Sequence, residues 1–257
     1  TAAEGQRRIA GAGADIIVAP GFLQADAIQT VSTEFTDTAF VLIDAVAENP
    51  NVRSVLFKEQ EGSYLVGYIA GKLTRTGVVG FVGGMDIPLI HAFDLGYQEG
   101  VKAACPECTI ISNYVGVTPD AWNDPARARE LASTQNAQGA DIIFAAAGAS
   151  GNGVIDFANQ TKCFTPSVPL RDSPLAAQLE RVEKPADYEA ACGPGTTPVF
   201  FIGVDSNQNF LGDTDRNPAT LNHGLTSMLK RVDVAAYDAI MDVVNGEFTG
   251  GTLNLGL

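Results

Sequence analysis

The strongest constraint on this chain is an alternation that runs through almost all of it, in which short β-branched apolar runs trade places with stretches of helical period. Ala14 to Ala19, Ala39 to Ile43, Ser54 to Phe57, Val78 to Val82, Thr109 to Val115, Asp141 to Ala146, Val199 to Val204 and Leu221 to Thr226 read as strands. Helical patterns lie among them at Ala25 to Phe35, Glu61 to Thr74, Ile90 to Ala104, Pro125 to Gln138, Gly153 to Gln160 and Leu229 to Asn245. Strands alternating with helices of this length build βαβ units and parallel sheets covered on both faces, so the fold class is α/β and doubly wound. In such sheets ligands sit outside the carboxyl ends of the strands. The residues that follow the strands are therefore the ones to question: Pro20 to Phe22, Asp44, Lys58 to Ser63, Gly83 to Pro88, Ala147 to Asn152 and Asp205 to Asn209. They are rich in Gly, Asp, Asn and Ser, the chemistry of a polar small-molecule site.

Composition narrows the choice further. With 46% hydrophobic residues in 257 the chain is not a disordered one, and it has no uninterrupted apolar run of the roughly 18 residues a membrane span needs. Sixteen Lys and Arg against 30 Asp and Glu leave a formal charge of −14, which argues against a nucleic-acid partner in the absence of a basic patch.

Familiar enzyme signatures fail residue by residue. Gly148 to Gly153 follows a strand and opens a helix, but its glycine spacing is neither that of a dinucleotide loop nor that of a serine nucleophile elbow. Gly67 to Lys72 is too short for a phosphate loop and lies inside a helix. Asp205, Asn207 and Asn209 imitate the opening of a calcium loop, yet Phe210 stands where that loop needs Gly and Arg216 where it needs Glu. Only two histidines exist, His91 and His223, and neither adjoins a nucleophile motif. The expectation is a binding protein without turnover, cofactor or metal.

One segment breaks the alternation. Residues 161–198 carry six prolines and a short charged helical patch near Leu175 to Val182, too much for an ordinary connection, so they read as an insertion. Cys163 and Cys192 stand near its two ends, where a disulfide would tie it off in an oxidising compartment. Cys105-Pro-Glu-Cys108 follows a helix instead of opening one, which favours a structural disulfide over a redox site.

A specific resemblance sits on top of these readings. The ordered series Ala14 to Phe22 (ADIIVAPGF), Phe57 to Gly67 (FKEQEGSYLVG), Val79 to Pro88 (VGFVGGMDIP) leading into Phe93 to Gly100 (FDLGYQEG), Gly139 to Gly148 (GADIIFAAAG), Ile202 to Ser206 (IGVDS) and Leu225 to Asp233 (LTSMLKRVD) resembles the basic membrane protein family. These are substrate-binding lipoproteins of ABC transporters, among them the PnrA-like purine nucleoside receptors. The resemblance implies a type I periplasmic-binding-protein fold, with two α/β lobes that close on a ligand. It assigns residues 1–60 plus 228–249 to the amino-terminal lobe and 61–227 plus 250–257 to the carboxy-terminal lobe, with 161–198 inserted. It also implies an amino-terminal strand, carrying ligand contacts in the family, that is not among these residues. The implied partners are a small-molecule ligand, a purine nucleoside, and a membrane permease. The implied setting is the periplasm or cell surface, as a monomer whose only membrane contact is a lipid anchor.

A nucleoside offers a flat base and a vicinal diol, which call for an apolar or aromatic face and a carboxylate. Asp205 is the first choice for that carboxylate, with a capped turn or a hinge ion pair as the structural alternative. Lys230 stands at a strand-to-helix junction, and in the family this lysine approaches the ligand. Glu61 is a candidate for a ribose hydroxyl or for pairing with Lys58. Gly84 and Met85 follow a central strand, with Asp86 beside them as a ligand acceptor or as the N-cap of the next helix. Phe22 is a candidate wall for the base, and Gly148 and Asn152 complete the set. The alternatives are a receptor for a sugar or autoinducer, a ligand-sensing domain, and an enzyme on the same lobes.

Overall fold

The computed structural model describes all 257 residues, the side chain of Glu180 excepted. The chain opens with α1 (Ala2–Gly11), β1 (Ile16–Ala19), α2 (Ala25–Glu34), β2 (Ala39–Ile43) and β3 (Val52–Phe57). It continues through α3 (Glu59–Leu73), β4 (Val78–Met85), α4 (Pro88–Ala104), β5 (Thr109–Gly116), α5 (Pro125–Ala137), β6 (Ile142–Ala146) and α6 (Gly151–Thr161). Within the inserted segment lie β7 (Cys163–Phe164), α7 (Ala176–Glu180), α8 (Ala186–Ala191) and β8 (Thr197–Pro198). The chain then closes with β9 (Phe200–Asp205), β10 (Gly224–Leu229), α9 (Val232–Asn245) and β11 (Gly251–Leu255). Among the described residues no helix is long and apolar enough to cross a membrane.

Two compact units result. The first comprises Thr1–Lys58 with Arg231–Leu257, the second Glu59–Lys230. In the first, four parallel strands run in the order β1-β2-β3-β11. Each residue of β2 is buried, because its alternate side chains enter two cores. Phe40 and Leu42 pack with Ile28 and Val31 of α2 and Ala10 of α1, while Val41 and Ile43 pack with Ala235 and Ala239 of α9. Thr1 and Glu4 close a capping box on α1, and Gly246 ends α9 in the left-handed conformation that a β-carbon would penalise. Residues 251–255 belong here and not with the second unit, contrary to the expectation for 250–257. β11 lies parallel to β3 in the register Gly251 with Arg53 to Leu255 with Phe57, satisfying an edge that β3 would otherwise leave open.

The second unit has five parallel strands in the order β10-β9-β6-β4-β5. On one face Phe81, Phe144 and Ile202 meet Val66 and Ala70 of α3 and Phe93, Tyr97 and Val101 of α4. On the other, Val82, Ile143 and Phe201 meet Ala128 and Ala132 of α5 and Val154 and Phe157 of α6. The sequence pattern puts Leu65, Ile69 and Leu73 with Tyr64 and Tyr68 on the packed side of α3. The structure instead buries Ser63, Val66, Gly67, Ala70 and Gly71 and leaves Tyr64, Leu65 and Tyr68 exposed, while Ile69 and Leu73 are part-buried and Leu73 packs against the core. Backbone proximity explains the difference: a β-carbon at Gly67 would lie 2.2 Å from the Tyr97 carbonyl oxygen, and one at Gly100 would lie 2.0 Å from that of Tyr64. The two helices touch through glycine, so small residues mark the contact and large ones face away. β10 and α9 also begin about three residues later than the pattern suggests.

The inserted segment is fastened to the amino-terminal end of this sheet. Cys163 and Cys192 are disulfide-bonded, as are Cys105 and Cys108. Arg171 donates to the carbonyls of Gly71 and Thr74 and pairs with Glu107, and the Ser173 hydroxyl donates to the carbonyl of Lys72. Two of the last carbonyls of α3, those of Gly71 and Lys72, which a helix leaves without partners of its own, are thereby satisfied. Beneath them the buried Asp141 carboxylate accepts the Thr74 hydroxyl at 2.7 Å and the backbone N–H groups of Arg75 and Thr76 at 2.6 and 3.1 Å.

Candidate ligand-binding site

Four non-glycine residues adopt left-handed φ values; Lys162 ends α6 and Arg216 lies in the loop before β10, while the other two stand at the carboxyl ends of strands. Asp44, directly after β2, and Asp205, the last residue of β9, both have left-handed φ values, 69° and 64°. That conformation costs a non-glycine residue about 1–2 kcal/mol, least for Asp and Asn, and such outliers gather at functional positions. In the first unit the Asp44 N–H is fixed to the Val55 carbonyl, and Phe22 follows Gly21, at φ 97°, in a short 3-10 turn after β1. In the second, the Asp205 side chain is exposed while its carbonyl accepts the Lys230 N–H at 2.9 Å.

Lys230 itself is buried. Its ammonium lies 3.2 Å from the Glu59 carboxylate, both side chains being only 5% exposed, and 5.8 Å from the centre of the Phe93 ring. An acidic partner of this lysine is thus Glu59, two residues before the candidate Glu61, which stands part-exposed on the first turn of α3. Lysine charge here is met inside the protein.

Trp122 was not among the residues singled out by sequence. Its ring lies across the ends of two neighbouring central strands: a β-carbon at Gly84, on β4, would come within 2.3 Å of it, and one at Gly148, after β6, within 3.3 Å. Ser150 holds it there, donating to the Ala121 carbonyl and accepting the Asp124 N–H, both at 2.7 Å. The small-residue turn at Gly148 to Gly153 therefore serves to anchor an aromatic plate. Gly153 has a separate reason to be glycine, since a β-carbon there would meet the Pro125 carbonyl at 1.9 Å. Asn152 is exposed on the first turn of α6, and Met85 is buried at the end of β4.

Asp86 is no N-cap. The residue at that position is Ile87, which offers no side-chain cap, and the Asp86 carboxylate instead lies 2.6 Å from the Nε2 of His91. The His91 ring meets Tyr114 edge-on at 5.4 Å, and the Tyr114 hydroxyl donates to Asp94 at 2.9 Å. Burial, with the Asp94 carboxylate beside it, pushes the Tyr114 hydroxyl well above its ordinary pKa, so it stays a donor. The second histidine, His223, is wholly buried with Nδ1 2.7 Å from the Val199 carbonyl, and burial lowers its pKa. Neither histidine adjoins a nucleophile.

Two units with helices on both faces of parallel sheets, joined by chain crossings at residues 58–59 and 230–231, constitute the type I periplasmic-binding-protein fold. A solved solute-binding protein of an ABC transporter system from Aeropyrum pernix K1 matches it with a TM-score of 0.73 at 27% identity, over 99% of this chain and 61% of that one. Residues 4–164 match the family described as ABC transporter substrate-binding protein PnrA-like, and the chain belongs to that family. It is 35% identical over 248 residues to the CD4+ T-cell-stimulating antigen of Listeria monocytogenes, covering 93% of this chain. It is also 28% identical over 235 residues to the ABC transporter nucleoside-binding protein BmpA of Lactococcus lactis subsp. cremoris, covering 91% of this chain. The chain spans 58% of the length of each of these two relatives.

Proposed function

We propose that this protein is the solute-binding component of an ABC transporter and that its solute is a purine nucleoside, bound without turnover at the carboxyl ends of the strands and passed to a membrane permease. The proposal includes an extracytoplasmic location, a lipid anchor and a monomeric state. The observation that carries the ligand class is the contrast between Asp205 and Lys230: an exposed carboxylate is presented on a left-handed backbone, while the adjacent lysine is buried against Glu59. A carboxylate suits the two hydroxyls of a ribose. A lysine whose charge is already met by a carboxylate does not call for a phosphate, which favours a nucleoside over a nucleotide. Trp122 supplies aromatic surface for a base at the strand ends of the second unit. The nucleoside-binding relative in Lactococcus lactis supports the same reading.

Calorimetry of the full chain against adenosine, guanosine, inosine, their monophosphates, ribose and free bases tests it. The expected order is nucleoside above base, ribose and nucleotide. Asp205→Asn is expected to weaken nucleoside binding more than about tenfold with an unchanged melting temperature. Binding of a sugar in place of any nucleoside would overturn the ligand assignment, and unchanged affinity in the variant would remove Asp205 from the site.

A further inference from the structure

We infer that His91 is a positioning residue for the ligand, the outer member of a chain of contacts that anchors the Asp86 carboxylate to the buried Asp94. The inference rests on the nucleoside reading, because it concerns how that site is held ready.

Asp86 follows β4 with its backbone pinned, its N–H donating to the Gly116 carbonyl at 2.9 Å. Its side chain is 47% exposed, and a half-exposed carboxylate left to itself samples several rotamers. It is not spent on capping α4, since the cap position belongs to Ile87. Among the described residues its one side-chain hydrogen-bond partner is His91, at 2.6 Å through a single carboxylate oxygen. The second oxygen is left to accept a donor from a ligand, a ribose hydroxyl or an exocyclic amine.

What holds His91 is the less obvious part. Its ring packs edge-on against Tyr114, and Tyr114 is constrained twice. The Tyr114 ring lies in space that only a glycine at position 83 leaves open, as a β-carbon there would come within 2.7 Å of it. Its hydroxyl is bound by Asp94, which is 6% exposed and is itself fixed by Ser112 at 2.7 Å and Gln98 at 2.9 Å. Order is thus passed outward from a buried carboxylate on α4, through an aromatic ring on β5, to a histidine on the first turn of α4 and then to Asp86. A carboxylate already in place spares the ligand the cost of ordering it.

Three variants decide the matter by nucleoside calorimetry. His91→Ala is expected to weaken binding about tenfold, and His91→Gln, which keeps a side-chain N–H donor of similar reach, to recover most of that loss. In an Asp86→Ala background His91→Ala is expected to change nothing further, the signature of a residue acting through another. Melting temperatures stay within a degree or two, because the His91 side chain is half exposed. If the parent chain binds a nucleoside while His91→Ala binds as tightly, or if the two losses simply add, the inference fails and the functional reading stands. A parent chain that binds no nucleoside removes both.

Discussion

Asp141 sets a measurable condition on the stability of the second unit. Burial raises its pKa from 3.8 to about 6, against the opposing pull of the Thr74 hydroxyl and the N–H groups of Arg75 and Thr76. Between those two values the folded protein holds a proton that the unfolded chain has already released. The group therefore supports the fold fully below about pH 4, and that support is lost as the pH rises through about 6. A difference of roughly two pKa units corresponds to about 3 kcal/mol. Asp141→Asn removes the charge but keeps a carbonyl oxygen for the two N–H donors, which both reach the same Oδ2. The new amide takes the place of Oδ1, and the Thr74 hydroxyl, 3.4 Å from that of Thr76, rotates to accept from it. The variant is expected to gain about 2 kcal/mol over the parent at pH 7.5 and little or nothing at pH 4. Urea unfolding at the two pH values, followed through the single tryptophan, Trp122, reads the second unit directly. Other carboxylates titrate in both proteins and drop out of the comparison. A variant less stable than the parent by the same amount at both pH values would refute the reasoning, showing that the hydrogen bonds to the carboxylate outweigh the cost of its burial.

Glu59→Gln removes the carboxylate 3.2 Å from the Lys230 ammonium, in a site where both side chains are only 5% exposed, and is expected to cost about 3–5 kcal/mol in the same unfolding assay. Adding Lys230→Met recovers part of that loss, because the buried ammonium is removed as well. Gly100→Ala drives a β-carbon to 2.0 Å from the Tyr64 carbonyl and is expected to lower stability by about 1–3 kcal/mol or more. Gly5→Ala, in α1 with nothing within 4 Å of the added atom, is expected to gain about 0.5–1 kcal/mol instead, as helix propensity alone dictates.

The alternation of strands and helices was legible because each apolar run is short, β-branched and followed by a change of period. What local pattern does not carry is the address of a strand. Gly251 to Leu255 reads as a strand wherever it lies, and only the open edge of β3 assigns it to the first unit. The misreading of α3 has a different origin. Hydrophobic periodicity assumes that packing is done by large side chains, whereas α3 and α4 approach through Gly67, Gly71, Gly96 and Gly100, whose β-carbons would strike the other helix. A stripe of glycines at four-residue spacing on both helices was the available signal.

The positions proposed for the site were legible where they depend on a strand end and illegible where they depend on a second contact. Asp205, Gly84, Asp86 and Gly148 follow from knowing where strands stop. Trp122 does not, because it stands on a turn after the edge strand β5 and reaches the ends of β4 and β6 only through the stitch that Ser150 makes. Glu59 lies in the strand-end range Lys58 to Ser63, but its role there is hidden for a similar reason: a glutamate opening a helix is ordinarily a solvated residue favouring the helix dipole, and its burial follows from a lysine 171 positions later at the other chain crossing. Asp44 is the most instructive case, a strand-end residue that carries no motif to set it beside Asp205. Ile43-Asp44 and Val204-Asp205 share one pattern, a β-branched apolar residue at the end of a buried strand followed by Asp, and both aspartates adopt the left-handed conformation. One such residue is an ordinary turn. The same departure recurs at a strand end in each of the two units, in a backbone conformation that glycine would adopt without strain, and no local apolar pattern announces it, because the pattern records where a strand is buried and not how its last residue turns.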